Sequence, residues 1–131
     1  MTRGMKNNNA GNIRRNNTKW QGLSDTQTDK EFFQFEEMKW GLRAMMRTIQ
    51  NYNKIHGLRS IREVVSRWAP PFENDTILYV NTVAKRTGLD PDHKIKFDDM
   101  EELSLICQAM CFMENSVQID IVEFYKAWHL L

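Results

Sequence analysis

The chain has 131 residues, with 18 basic and 17 acidic side chains and a formal net charge of +1. That length fits one domain, residues 1–131, with room for an ordinary hydrophobic core. The balanced charge excludes a chain that binds nucleic acid electrostatically over its whole surface. No apolar run is long enough to span a bilayer, and the N-terminus lacks the apolar segment of a secretory signal, so cytoplasmic synthesis without a membrane partner is expected.

Residues 1–23 carry Arg3, Lys6, Arg14, Arg15 and Lys19 and no acid, together with six asparagines. Asparagine favours turns over regular structure. Two readings stand side by side: a partly disordered basic lead-in, or an ordered irregular one anchored by Ile13 and Trp20. Lys30 to Phe35 alternates as a strand does, and turn residues Gly22, Ser24 and Asp25 precede it. A small hairpin between about Ile13 and Phe35 is expected, packed on a helix because two strands alone are not stable.

From Met38 to Ile55 the residues Met38, Leu42, Met45, Met46, Ile49, Tyr52 and Ile55 recur at helical spacing, and Gly57 follows as a C-terminal stop. Gly41 and Ala44 form a small-residue patch on another face that lets a neighbouring backbone approach. A second helix opens at Ser60 and Glu63, the S-x-x-E capping box, with Ile61, Val64, Val65 and Trp68 on one face. Pro70 and Pro71 end it. A third runs from Asn74 to Thr87, with Asn74 or Asp75 as its cap and Ile77, Tyr79, Val80, Val83 and Ala84 inward. Ile95 and Phe97 suggest a short extended piece. A fourth helix covers Met100 to Glu114, and a fifth Val117 to Leu130, with Val122, Tyr125 and Trp128 inward. The fold class expected is mainly α (α+β): about five helices with a small N-terminal β-hairpin.

Cys107 and Cys111 read as buried thiols, since no further Cys or His stands at zinc-site spacing. No metal or cofactor is expected. His56, His93 and His129 read as helix-end or surface residues. The chain has no nucleotide-binding loop, nucleophile elbow or metalloprotease motif.

The densest polar stretch surrounds the proline turn: Arg67, Trp68, Glu73, Asn74, Thr76 and Tyr79. Helix capping accounts for such a cluster by itself. The functional alternative is a cleft in which a carboxylate, an amide, a guanidinium and aromatic rings hold a polar polymer such as a glycan. Glycan cleavage needs a carboxylic acid to protonate the leaving oxygen, with a second carboxylate. Glu73 is the candidate acid, because Trp68 and Phe72 neighbour it in sequence and an apolar setting favours the protonated form. Glu36 and Glu37 are the weaker candidates for the second group.

The run Asn7 to Arg14 with Trp20 and Gly22 resembles the N-P-G-N-I-R…W-x-G opening of a group of phage and prophage virion-associated proteins. The resemblance continues through Phe33, Phe35, Gly41 to Ala44, Tyr52 and His56 to Ile61. It is most specific in Arg67-Trp68-Ala69-Pro70-Pro71-Phe72-Glu73-Asn74-Asp75-Thr76, and ends in Glu114-Asn115. Ala10 stands where the family has proline, and Ser116 where it has glycine. The resemblance implies a mobile-element origin and adds Asn12, Arg14 and Trp20 to the candidate binding residues. It also implies two partners, a cell-wall glycan or another virion protein. The corresponding roles are a lysozyme-like peptidoglycan hydrolase, of muramidase or lytic-transglycosylase type, and a non-enzymatic virion module. Nucleic-acid contact through the basic lead-in is the weakest reading. None of these patterns sets the oligomeric state.

Overall fold

The computed structural model describes residues 1–131 and contains six helices: α1 (Arg3–Lys6), α2 (Met38–His56), α3 (Ile61–Trp68), α4 (Thr76–Thr87), α5 (Met100–Asn115) and α6 (Ile121–Trp128). The mainly α class holds. The additional helix is α1, a single turn in the lead-in, capped by the Thr2 side chain on the Met5 N–H.

Each longer helix begins and ends where local chemistry places it. Ser60 and Glu63 close the capping box at the start of α3, and Asp75, Asp99 and Asp120 cap α4, α5 and α6. Gly57 and Gly88 end α2 and α4 in the left-handed conformation, which costs glycine little. Ser116 ends α5 in the same conformation, with φ 55°, although it carries a Cβ.

Helix α5 is the central element. It touches α1, α2, α4 and α6 and buries Leu103, Ile106, Cys107, Met110 and Cys111 completely. Its two thiols are free, and burial pushes both above the usual thiol range. Around α5, the inner faces of α2 (Leu42, Met45, Met46, Ile49), α3 (Ile61, Val64, Val65), α4 (Tyr79, Val80, Val83) and α6 (Phe124, Ala127) close one core of 22 buried residues. Three inward assignments are corrected. Ile55 sits in the last turn of α2 and faces solvent. Ile77 lies in the first turn of α4, beyond its packed face, and Val122 holds the same position in α6. In α6 the core residues are Phe124 and Ala127, while Tyr125 and Trp128 are half-buried.

The expected hairpin does not form. Residues 31–36 lie between two partners, joined by isolated antiparallel bridges at Arg14–Phe32 and Leu23–Phe35. Side-chain amides take bonds that a ladder would make. Asn9 Nδ2 donates to the Ile13 and Phe33 carbonyls, at 3.0 and 2.9 Å. Asn8 Nδ2 donates to the Phe35 carbonyl at 3.1 Å. Side-chain amides that bond the backbone in this way compete with regular pairing. Phe33 and Phe35 still bury on one side against Ala44, with Ile13, Trp20, Leu23 and Trp40 around them.

The lead-in is built into the molecule. Asn7, Asn9, Ala10 and Gly11 are buried, and the Asn8 carbonyl rests directly on Gly41 of α2. Farther out, the Asp29 carboxylate accepts from Arg3 Nε and Nη2 at 2.7 Å each, from Asn7 Nδ2 at 3.0 Å and from the Glu31 and Phe32 N–H groups. Of the lead-in cations, Arg3 and Arg14 are thus already matched by acids, Asp29 and Glu31 for the first and Glu31 and Glu73 for the second.

Two stability predictions follow. Gly41→Ala should destabilise by about 1–3 kcal/mol in urea unfolding, because the new methyl meets the Asn8 carbonyl and this outweighs the gain of about 1 kcal/mol in helix propensity. The Arg3 guanidinium, then the Phe32 N–H, hold the Asp29 carboxyl well below the usual carboxylate range. Its contribution is therefore present above about pH 4 and lost as pH falls towards the folded value. Asp29→Asn should lower the thermal midpoint at pH 7 and flatten the acid side of the stability profile; an unchanged acid side would remove Asp29 from that role.

Candidate functional site

The proline turn is fixed locally before it meets anything else. Helix α3 ends at Trp68. The Glu73 and Asn74 N–H groups donate to the Pro70 carbonyl at 3.1 Å each, and Thr76 Oγ1 donates to the Ala69 carbonyl at 2.6 Å. Asp75 Oδ1 then accepts from the Leu78 N–H at 3.0 Å and starts α4. The lead-in runs past this turn. Gly11 lies against Trp68 and Met45, leaving 3.0 and 3.1 Å for any added Cβ, and Asn12 takes a left-handed φ of 53°.

Between the lead-in and the turn lies a hollow of about 150 Å³ whose walls include Asn12, Arg14, Trp68, Glu73, Asn74 and Glu114. A neighbouring hollow of about 270 Å³ shares Asn12, Arg14 and Trp68 and adds Thr48 and Tyr52. The two form one groove divided at Trp68. Tyr52 stands edge-on to Trp68, with ring centres 6.2 Å apart, and the Arg67 guanidinium lies 5.1 Å from the Tyr52 ring. Burial pushes the Tyr52 phenol upward, partly offset by Arg67.

Two carboxylates face this groove in different settings. The Glu73 side chain is 46 % exposed and lies 3.8 Å from Arg14 Nη2. Phe72, expected to give it an apolar setting, points away and is 83 % exposed. Glu73 lines the hollow and Phe72 does not, so sequence adjacency misled here. Glu114 is half-buried in the last turn of α5. Its Oε1 accepts from Asn12 Nδ2 at 2.8 Å and its Oε2 from Tyr79 Oη at 2.9 Å. Burial, and then the Glu114 charge, push the Tyr79 phenol well above its usual range, which keeps it a donor.

Asn12, Arg14, Trp68, Glu73 and Asn74 are therefore gathered in one place. Arg67 borders the groove through Tyr52. Tyr79 stands behind Glu114, and Thr76 is buried and used within the turn. Trp20 lies elsewhere, in the cluster under α2, with its indole N–H unpartnered. Glu36 and Glu37 line neither hollow: both are exposed ahead of α2, where Lys39 pairs with Glu37 at 3.7 Å. Strand alternation stops at Phe35, and these side chains follow the helix start outward. The groove residues not singled out as binding candidates include Asn16, Phe32, Thr48, Tyr52 and Glu114. Of these, Glu114 carried a signal, the Glu-Asn pair closing an amphipathic helix.

A larger hollow of about 500 Å³ between α4 and α5 contains Lys85, Arg86, Gln108 and Gln118 but no carboxylate. Its Arg86 is already spent on the Phe112 ring at 3.5 Å and on Gln118 at 2.9 Å. The smaller groove is the better candidate, because it gathers two carboxylates, two asparagine amides and the Trp68 ring around one hollow.

No family model matches the chain. It is 36 % identical over 116 residues to Protein P5 of Pseudoalteromonas phage PM2, across 86 % of this chain and 71 % of that protein. The chain belongs to the family of that phage protein. The phage kinship implied by the motifs thus holds. No helix is long and apolar enough to cross a membrane.

Tyr79→Phe keeps the buried ring but removes the donor to Glu114. It should cost about 1.5–3 kcal/mol, the range for hydrogen bonds to charged groups. Urea unfolding checks this; a change under 0.5 kcal/mol, on the order of an exposed contact, would mean that the bond carries little.

Proposed function

We propose that this phage-type protein acts on cell-wall peptidoglycan through the groove, cleaving the glycan strand with Glu73 as general acid. The observation that carries the reading is the gathering of Trp68, Asn12, Asn74, Arg14 and Glu73 around one hollow. Sugar rings offer an apolar face to an aromatic ring, and N-acetyl groups offer amides that asparagine side chains match in both donor and acceptor. Glu73 is the carboxyl most open to an entering strand, and its Arg14 partner is itself exposed. Release from the cytoplasm as part of a virion fits wall contact from outside.

A second reading has its own support. Phe72, Ile77 and Leu78 are 83, 74 and 55 % exposed beside the same turn. Exposed large apolar side chains close together favour docking to another protein, as a non-enzymatic virion module requires.

Turbidity of purified peptidoglycan separates these readings. Clearing by the native protein is expected to fall about 10²–10⁴-fold in a folded Glu73→Gln variant, the usual contribution of general acid catalysis. Co-sedimentation with walls but no clearing would leave a binding module. Neither clearing nor binding, on walls of several hosts, would favour the virion-structural role.

A further inference from the structure

We infer that Glu114 is the second carboxylate of the groove, the anion that faces positive charge developing on the sugar as the glycosidic bond breaks. The inference rests on the wall-glycan reading above and replaces Glu36 and Glu37, which the fold holds away from the hollow.

The first argument is placement against electrostatics. Glu114 occupies the last turn of α5, where the helix dipole is negative and cations are favoured, and that turn holds no basic residue. No Lys, Arg or His nitrogen lies within 4.0 Å of its carboxylate, whereas the other acid lining the hollow, Glu73, has Arg14 at 3.8 Å. A half-buried carboxylate at the unfavourable end of a helix, without a cation, is a local conflict of the kind that folds retain at functional sites.

The second argument is how much structure holds it. Tyr79 Oη and Asn12 Nδ2 each donate to one of its oxygens, as suits an acceptor-only group. Asn12 reaches it from a left-handed backbone, uncommon outside glycine. Next to it, Asn115 ties the same lead-in to α5 by donating to the Ala10 carbonyl at 2.7 Å. The carboxylate is thus oriented before any ligand arrives, as electrostatic stabilisation of a transition state requires.

The step balances as a hydrolysis. The Glu73 carboxyl gives its proton to the bridging oxygen, and the bond from that oxygen to the anomeric carbon breaks with its electron pair leaving on oxygen. The Glu114 anion faces the cation left at the anomeric carbon. Water adds there through its oxygen, and its surplus proton returns to Glu73.

The test uses the full chain and purified peptidoglycan, reading clearing, wall co-sedimentation and thermal midpoint together. Glu114→Gln keeps an acceptor for Asn12 and removes the charge. Wall binding within twofold of native with clearing reduced 100-fold or more supports the inference; clearing within twofold of native overturns it. Should the Gln variant not fold, Glu114→Asp carries the test: a loss of tenfold or more supports, native clearing overturns. Full activity of Glu73→Gln would sink the acid assignment alone. A native protein that clears no wall would overturn the whole wall-cleavage reading, and this inference with it.

Discussion

Everything near the groove depends on one buried amide. Asn115 Nδ2 donates to the Ala10 and Cys111 carbonyls, at 2.7 and 3.0 Å, and its Oδ1 accepts from Thr2 Oγ1 at 2.7 Å. It thereby joins the first residues of the chain to the end of the central helix, more than a hundred positions away. An irregular segment can enter a core only if its backbone polar groups find partners. Here those partners are asparagine side chains, Asn9 for Ile13 and Phe33, and Asn115 for Ala10. Gly11 and Gly41 supply the close approaches, one against Trp68 and Met45, the other against the Asn8 carbonyl.

The groove is a consequence of that anchoring. Asn12 comes from the lead-in, Trp68 from the end of α3, Glu73 from the proline turn and Glu114 from the end of α5. Trp68, Glu73 and Glu114 stand at or between helix ends, and Trp68 also packs against the core. The five longer helices and the polar cleft rest on different interactions. The helices rest on buried aliphatic faces, and the cleft rests on amide bonds made around one segment.

Much of the helical frame was legible from spacing and caps. The Ser60–Glu63 capping box and the Gly57 stop sit where the sequence pattern put them. Periodicity failed at the first turn of α4 and α6 and at the last turn of α2: Ile77, Val122 and Ile55 fit a helical stripe but lie beyond the neighbouring helix that would cover it. The lead-in was legible only as composition. Six asparagines announce turns, but not that their amides would replace a β-ladder or seat the chain in the core. Within the site, the five residues that converge were visible as a polar cluster or as motif positions. The carboxylate pair was not, because the link from Glu114 to Asn12 and Tyr79 spans 102 and 35 residues. Glu36 and Glu37 illustrate the converse: nearness to a strand end in sequence says nothing about which cleft a side chain reaches.

The proline turn also explains why two functional readings meet on one surface. Phe72 and Glu73, adjacent in sequence just after Pro70 and Pro71, end in different surroundings: the ring in solvent, the carboxylate on the wall of the groove. With Ile77 and Leu78 exposed on the next turn, the outer side of this segment is apolar while its inner side is polar. A single rigid element thus offers one face suited to a protein neighbour and another suited to a sugar chain. The two proposed roles are compatible, since each would use a different face of the turn. The groove's own chemistry then turns on Glu114. A helix-end carboxylate without a cation, held by a phenol and an amide, is hard to account for by folding alone, whereas exposed apolar side chains are common on protein surfaces.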